Sequence, residues 1–136
     1  MDFKEQIQFR FTITSDINEL IKFWEPGAPL FEERLNAIKF AFENYFKTSV
    51  SVEPFLSDPI LIIIKLIPFA SESIWIGSMN YIRRNNLKDY EIPYYEKIRN
   101  LYTPEKLFRY YKLLKKNHLI RFKDSYLIRL RNSGWL

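Results

Sequence analysis

Pro59-Ile60-Leu61-Ile62-Ile63-Ile64-Lys65-Leu66-Ile67-Pro68 is the stretch whose reading decides the fold of this chain. Residues 60–67 are almost unbroken apolar sequence, rich in β-branched isoleucine and closed at each end by a proline. The run is short for a helix, and Ser57-Asp58-Pro59 before it has the composition of a turn. These features predict the buried central strand of a small sheet.

Working outward toward the N-terminus, residues 48–52 read as a second strand with Val50 and Val52 on one face. Residues 30–46 read as a helix. Phe31, Leu35, Ile38, Phe42 and Tyr45 form its apolar stripe, and Glu32 and Glu33 suit the positive end of its dipole. Residues 7–14 alternate with period two, as a half-buried strand does. Ser15 and Asp16 then cap a short helix carrying Ile17, Leu20, Ile21 and Trp24, which Pro26-Gly27 ends.

On the C-terminal side, Ser71 and Glu72 look like a helix start. Ile74, Ser78, Tyr81 and Ile82 can share a face, so 71–86 is predicted helical, although 73–77 also alternates like a strand. Ile92-Pro93 opens a segment with Tyr95, Ile98 and Leu101 inward. Thr103-Pro104-Glu105 supplies the cap, the first-turn proline and the first-turn acid of a helix reaching about Asn117. Residues 120–122 and 126–130 read as two short strands joined by Lys123-Asp124-Ser125. The expected fold class is α+β. A small N-terminal sheet with two packed helices (1–70) is followed by a basic C-terminal unit (71–136), the two sharing one core.

Charge is strongly segregated. Residues 1–80 carry 7 Lys and Arg against 11 Asp and Glu, a net of −4, whereas residues 81–136 carry 14 against 5, a net of +9. A basic half of this kind points to a polyanionic partner, most often nucleic acid. The absence of cysteine excludes disulfides and thiolate chemistry. Only three glycines occur, so no phosphate-binding glycine loop is present. The single histidine, His118, has no partner pattern for a metal or a triad. Glu53 and Asp58 lie near Lys65 but lack the close Glu-X-Lys spacing of a common nuclease pattern. The N-terminal Met1-Asp2-Phe3-Lys4-Glu5 has no signal-peptide pattern, and no apolar run approaches the roughly 20 residues that span a bilayer. A cytoplasmic, non-enzymatic protein without metal, cofactor or membrane association is expected.

Leu113-Leu114-Lys115-Lys116-Asn117-His118-Leu119-Ile120, followed by 121–130 and Asn132-Ser133-Gly134, resembles the second half of a winged helix-turn-helix domain over about 103–135. Asn117 stands where such domains usually place glycine. On a helical wheel Arg109, Lys112 and Lys116 form one stripe flanked by Lys106 and Lys115, while Leu107, Tyr111 and Leu114 form another. The resemblance implies duplex DNA as partner. Arg109 and Lys112 would contact bases or phosphates, and Arg121, Lys123, Arg129 and Arg131 would clamp the backbone. It also implies a small regulator or an accessory subunit of a DNA-handling complex, for which a homodimer is suitable. The alternative is a protein-interaction adaptor whose basic tail docks on an acidic partner. Residues 30–67 resemble small adaptor modules of bacterial conflict systems, and a viral adaptor fits the same alternative. Basic residues interleaved with tyrosines could also stack unpaired bases.

Overall fold

The computed structural model describes residues 3–136; Met1 and Asp2 lie outside the described residues. The elements run β1 (Gln8–Thr12), α1 (Asn18–Trp24), α2 (Phe31–Glu43), β2 (Lys47–Val52), α3 (Pro59–Leu66), β3 (Ser73–Ile76), α4 (Ile92–Leu101), α5 (Pro104–Leu114), β4 (Ile120–Phe122) and α6 (Asp124–Asn132). Single 3-10 turns cover Phe3–Gln6 and Ile67–Phe69. The four strands form one sheet in the order β1-β2-β3-β4, and every pair is parallel. The fold is thus a mixture of helices and strands, as the expected α+β class requires.

Sequential order among parallel strands has a topological consequence. Each right-handed crossover sends its helices to the same side of the sheet, so one face is covered and the other is not. Burial along the strands agrees. Val50, Val52, Ile74 and Ile76 are fully buried, and Ile120 nearly so. The register sets Phe11, Val50, Ile74 and Ile120 in one row, and Val52, Ile76 and Phe122 in the next. Helical side chains complete this core: Ile38 of α2, Ile62, Ile63 and Leu66 of α3, Ile98 of α4, Leu107 of α5 and Leu130 of α6. Phe55 stacks on Tyr102 at 4.3 Å between centroids, and the Tyr102 hydroxyl donates to the Phe55 carbonyl at 2.8 Å. Residues 1–70 and 71–136 therefore contribute two strands each to one sheet and pack a single core.

Three expected elements differ in the structure. Residues 60–67 are not a strand; 59–66 form α3. Asp58 is an N-cap, its carboxylate accepting from the Ile60 N–H at 2.9 Å, and Pro59 occupies the first turn, where its missing N–H costs nothing. Residues 71–86 are not a helix. The alternation of 73–77 prevails in β3, followed by an irregular segment to Glu91. Residues 126–130 are not a wing strand but part of α6, with Tyr126 and Leu130 buried four residues apart and Asp124 in the first turn. β4 pairs with β3 in parallel, so the hairpin expected over 120–130 does not form. The helix expected over 103–117 forms over Pro104–Leu114, with Lys116 in the turn after it; Tyr110 is the buried tyrosine and Tyr111 is only half-buried against Phe122.

The helical reading of 59–66 makes a prediction that separates it from a strand. Ile62 is fully buried and Ile64 is 61% exposed, whereas in a strand the two would share a face. Ile62→Asp should cost several kcal/mol and unfold the protein. Ile64→Asp should leave the melting temperature within a few degrees. Equal damage from both substitutions, read by thermal melting, would restore the strand. Asp58→Ala should cost about 1 kcal/mol through loss of the cap.

Candidate functional site at the open face of the sheet

The uncovered face is set by the same register. Gln8 and Lys47 lie level, then Arg10, Ser49 and Ser73, then Thr12, Ser51, Trp75 and Arg121. Beyond the last paired row, Thr14, Glu53, Gly77 and Lys123 continue the same alternation at the C-terminal ends of the strands. Parallel sheets are usually apolar on both faces. Here the second face is polar except for Trp75, and Arg10, Lys47, Arg121 and Lys123 give it positive charge. Ser49 and Ser51 are buried among longer neighbours; the Ser49 and Ser73 hydroxyls are 2.8 Å apart.

The face is concave. A cleft of about 420 Å³ has Arg10 of β1 on one side, Phe122, Lys123 and Asp124 on the other, and Trp75 between them. Side chains from the first and last strands thus bound one space. Functional groups in parallel β/α architectures gather at the C-terminal ends of strands; Glu53 and Lys123 lie there, whereas Arg10 is mid-strand and Lys47 begins β2.

Lys123 Nζ donates to Ser51 Oγ and to Glu53 Oε1, each at 2.9 Å. The Ser125 hydroxyl donates to Glu53 Oε2 at 2.7 Å, and the Ser78 N–H donates to Ser125 Oγ at 3.2 Å. Burial alone would raise the Glu53 carboxyl. Hydrogen bonds from Ser125 and Lys123, with the charge of Lys123, outweigh it and hold the carboxyl below its ordinary range. Glu53 is therefore a carboxylate at neutral pH, and both its oxygens are occupied. Gly77 makes this arrangement possible: a Cβ there would sit 2.1 Å from Glu53 Oε2. The lysine expected beside Glu53 and Asp58, Lys65, instead pairs with Asp16 at 2.9 Å.

The cations singled out from the sequence do not form one surface. Lys106, Arg109, Lys112, Lys115 and Lys116 are all exposed on α5 and its exit. That helix packs Leu107, Tyr110 and Leu114 into the core, so its cations face away from the sheet. Lys112 lies over the Phe108 ring and Lys115 over Tyr111. Arg121 and Lys123 belong to the opposite, open face. Arg129 is held by Ser78 and Met79, and Arg131 is exposed on α6. Arg10, Trp75, Ser51 and Ser125 were not singled out; the polar half of the 7–14 alternation was the signal for Arg10. No helix among the described residues is long and apolar enough to cross a membrane. Among the described residues no three His, Cys, Asp or Glu side chains cluster so as to hold a metal ion.

The depressed carboxyl fixes a pH dependence. A carboxyl lowered on folding adds stability above its ordinary pKa, and that increment is lost as pH falls through the lowered value. Wild-type protein should exceed Glu53→Gln in unfolding free energy at about pH 7, and the margin should shrink toward about pH 3. Gly77→Ala should give the same loss of pH dependence by displacing the Glu53 side chain. Denaturant titrations at the two pH values check both. A margin that stays constant with pH would mean that Glu53 is not stabilised as an ion.

Comparison with known proteins finds no family model, no curated sequence and no solved structure that matches this chain.

Proposed function

We propose that the protein binds a nucleotide unit in the concave sheet face. The base lies on Trp75, and the phosphate meets Arg10 and Arg121, with Lys123 bordering the space in its pair with Glu53. The observation that supports this most strongly is the position of Trp75, half-buried between cations from the two edges of the sheet. Base stacking on an aromatic side chain contributes about 1–3 kcal/mol, and the flanking cations supply the charge term. Trp75 makes no ring contact with another aromatic among the described residues, and it is half-buried in the wall of the cleft. The space of about 420 Å³ suits one nucleotide rather than a run of stacked bases. A free nucleotide and a nucleotide of an unpaired strand present the same chemistry to this face.

A second reading keeps duplex DNA as the ligand and places it on α5. Its support is the exposure of Arg109, Lys112 and Lys116 along one outer helical stripe. The two readings use opposite sides of the molecule, so point substitutions separate them.

Binding is measured by fluorescence titration with a mononucleotide, a single-stranded oligonucleotide and a duplex. Trp75→Ala should weaken the first two about tenfold or more, and Arg109→Ala should leave them unchanged. Comparable affinity for mononucleotide and oligonucleotide assigns the free nucleotide; a large preference for the oligonucleotide assigns a strand. Duplex binding lost on Arg109→Ala and unaffected by Trp75→Ala would replace the sheet-face reading with the helix reading.

A further inference from the structure

A separate group of cations lies at the C-terminal ends of β3 and β4. Arg84 from the segment after β3, Arg99 of α4 and Arg129 of α6 line one cleft of about 400 Å³, together with Asn80, Tyr81 and Thr103. No carboxylate lines it. Elsewhere the protein pairs cations with acids: Arg34 with Glu25, Arg83 with Glu91, Lys65 with Asp16 and Lys123 with Glu53. Among the described residues, none of the three cleft arginines has such a partner.

Two of the three are fixed in place by neutral groups. Arg129 Nη1 donates to Ser78 Oγ at 3.0 Å and to the Met79 carbonyl, and its guanidinium lies 5.2 Å from the centre of the Tyr102 ring. Arg99 Nη1 donates to the Arg83 carbonyl at 3.2 Å, which ties the segment after β3 to α4. The Arg84 side chain has no hydrogen-bond or ion-pair partner among the described residues. Each guanidinium carries five donors, so most of this capacity is unused. Three like charges in one cleft repel each other, and an anion between them removes that cost. Thr103 and Pro104 also place the positive end of α5 at its wall.

We infer that this cleft is a phosphate site, taking inorganic phosphate or the phosphate group of a monoester. Guanidinium forks match the oxygens of a tetrahedral dianion in two-point contacts, which chloride cannot reproduce. The volume exceeds that of a bare phosphate, leaving room for part of an ester's organic group. The site does not depend on the nucleotide reading, because the arginine cleft and the Trp75 cleft share no lining residue.

Calorimetric titration of the full chain with inorganic phosphate and with glycerol phosphate, at ionic strength held constant with chloride, tests the site. Saturable binding is expected for at least one probe. Arg84→Gln should weaken it about tenfold, the loss of one charge-assisted contact. Melting without ligand should not fall, since Arg84 holds no other group and its removal relieves like-charge repulsion. Trp75→Ala should leave phosphate binding intact, which distinguishes failure of this site from failure of the nucleotide reading. Tighter binding of glycerol phosphate assigns a monoester; tighter binding of inorganic phosphate assigns the free ion. The site is refuted if neither probe saturates, or if Arg84→Gln binds as the wild type does.

Discussion

The parallel pairing of β2 with β3 fixes both faces of the sheet at once. Val50 lies level with Ile74 and Val52 with Ile76, while Ser49 lies level with Ser73 and Ser51 with Trp75. A slip of one residue in either strand would set serines against the helices and isoleucines in water, so the register is tightly determined by the hydrophobic effect. The helices must cover the valine and isoleucine side. Sequential strand order lets every crossover reach that side, and the polar side stays free for a ligand. The alternation also carries past the paired rows and brings Glu53, Gly77 and Lys123 to the same edge. The core and the candidate site are therefore two sides of one register.

Elements whose pattern and caps agree are legible in the sequence. The alternation at 7–14, the stripe at 30–46 and the Thr103-Pro104-Glu105 start each use one signal with no competitor, and β1, α2 and α5 form there, although α2 ends at Glu43 and leaves Phe42 and Tyr45 of its expected stripe exposed. The misread stretches carry conflicting signals. In 59–66 isoleucine content favours a strand, but Asp58 and Pro59 form a helix N-terminus, and the cap prevails. The resulting helix buries Ile62, Ile63 and Leu66 while leaving Leu61 and Ile64 exposed, an arrangement that a uniformly apolar run does not disclose. In 124–132 the Lys-Asp-Ser turn composition hid a first-turn acid. In 71–77 the strand alternation was visible, and helical spacing farther along outweighed it. These are short segments in which residue propensity is weak, so caps and the face each segment buries outweigh it.

The site was less legible than the fold. Segregated charge is a property of composition, but binding requires convergence, and convergence depends on which face each residue occupies. The cations of α5 form a correct helical stripe, yet that stripe lies on the outer side of the helix layer. Arg10 comes from the acidic half of the sequence and meets Lys123 only through the four-strand order. Trp75 belongs to a segment whose helical reading would have pointed it elsewhere. Once the strands are ordered, their alternating polar positions follow from the sequence without further information.

Ten of the 14 cations of residues 81–136 are thus divided among the outer stripe of α5 and its exit, the open sheet face and the arginine cleft, and these three differ in their solvation. Cations on the α5 stripe are exposed, surrounded by water and weakened by salt, and two of them rest on rings of their own helix. Lys123 is neutralised by Glu53, so it orders the sheet edge more than it attracts a distant anion. Arg84, Arg99 and Arg129 are the group in which cations converge and lack acids; Arg99 and Arg129 are partly withdrawn from solvent, and Arg84 is exposed. Electrostatic attraction strengthens as water is excluded, and the two guanidinium groups already held in place, those of Arg99 and Arg129, reduce the ordering to be done on binding. Net charge alone would send an anion to the most basic sequence segment; local solvation and the missing counter-ions direct it to the ends of β3 and β4.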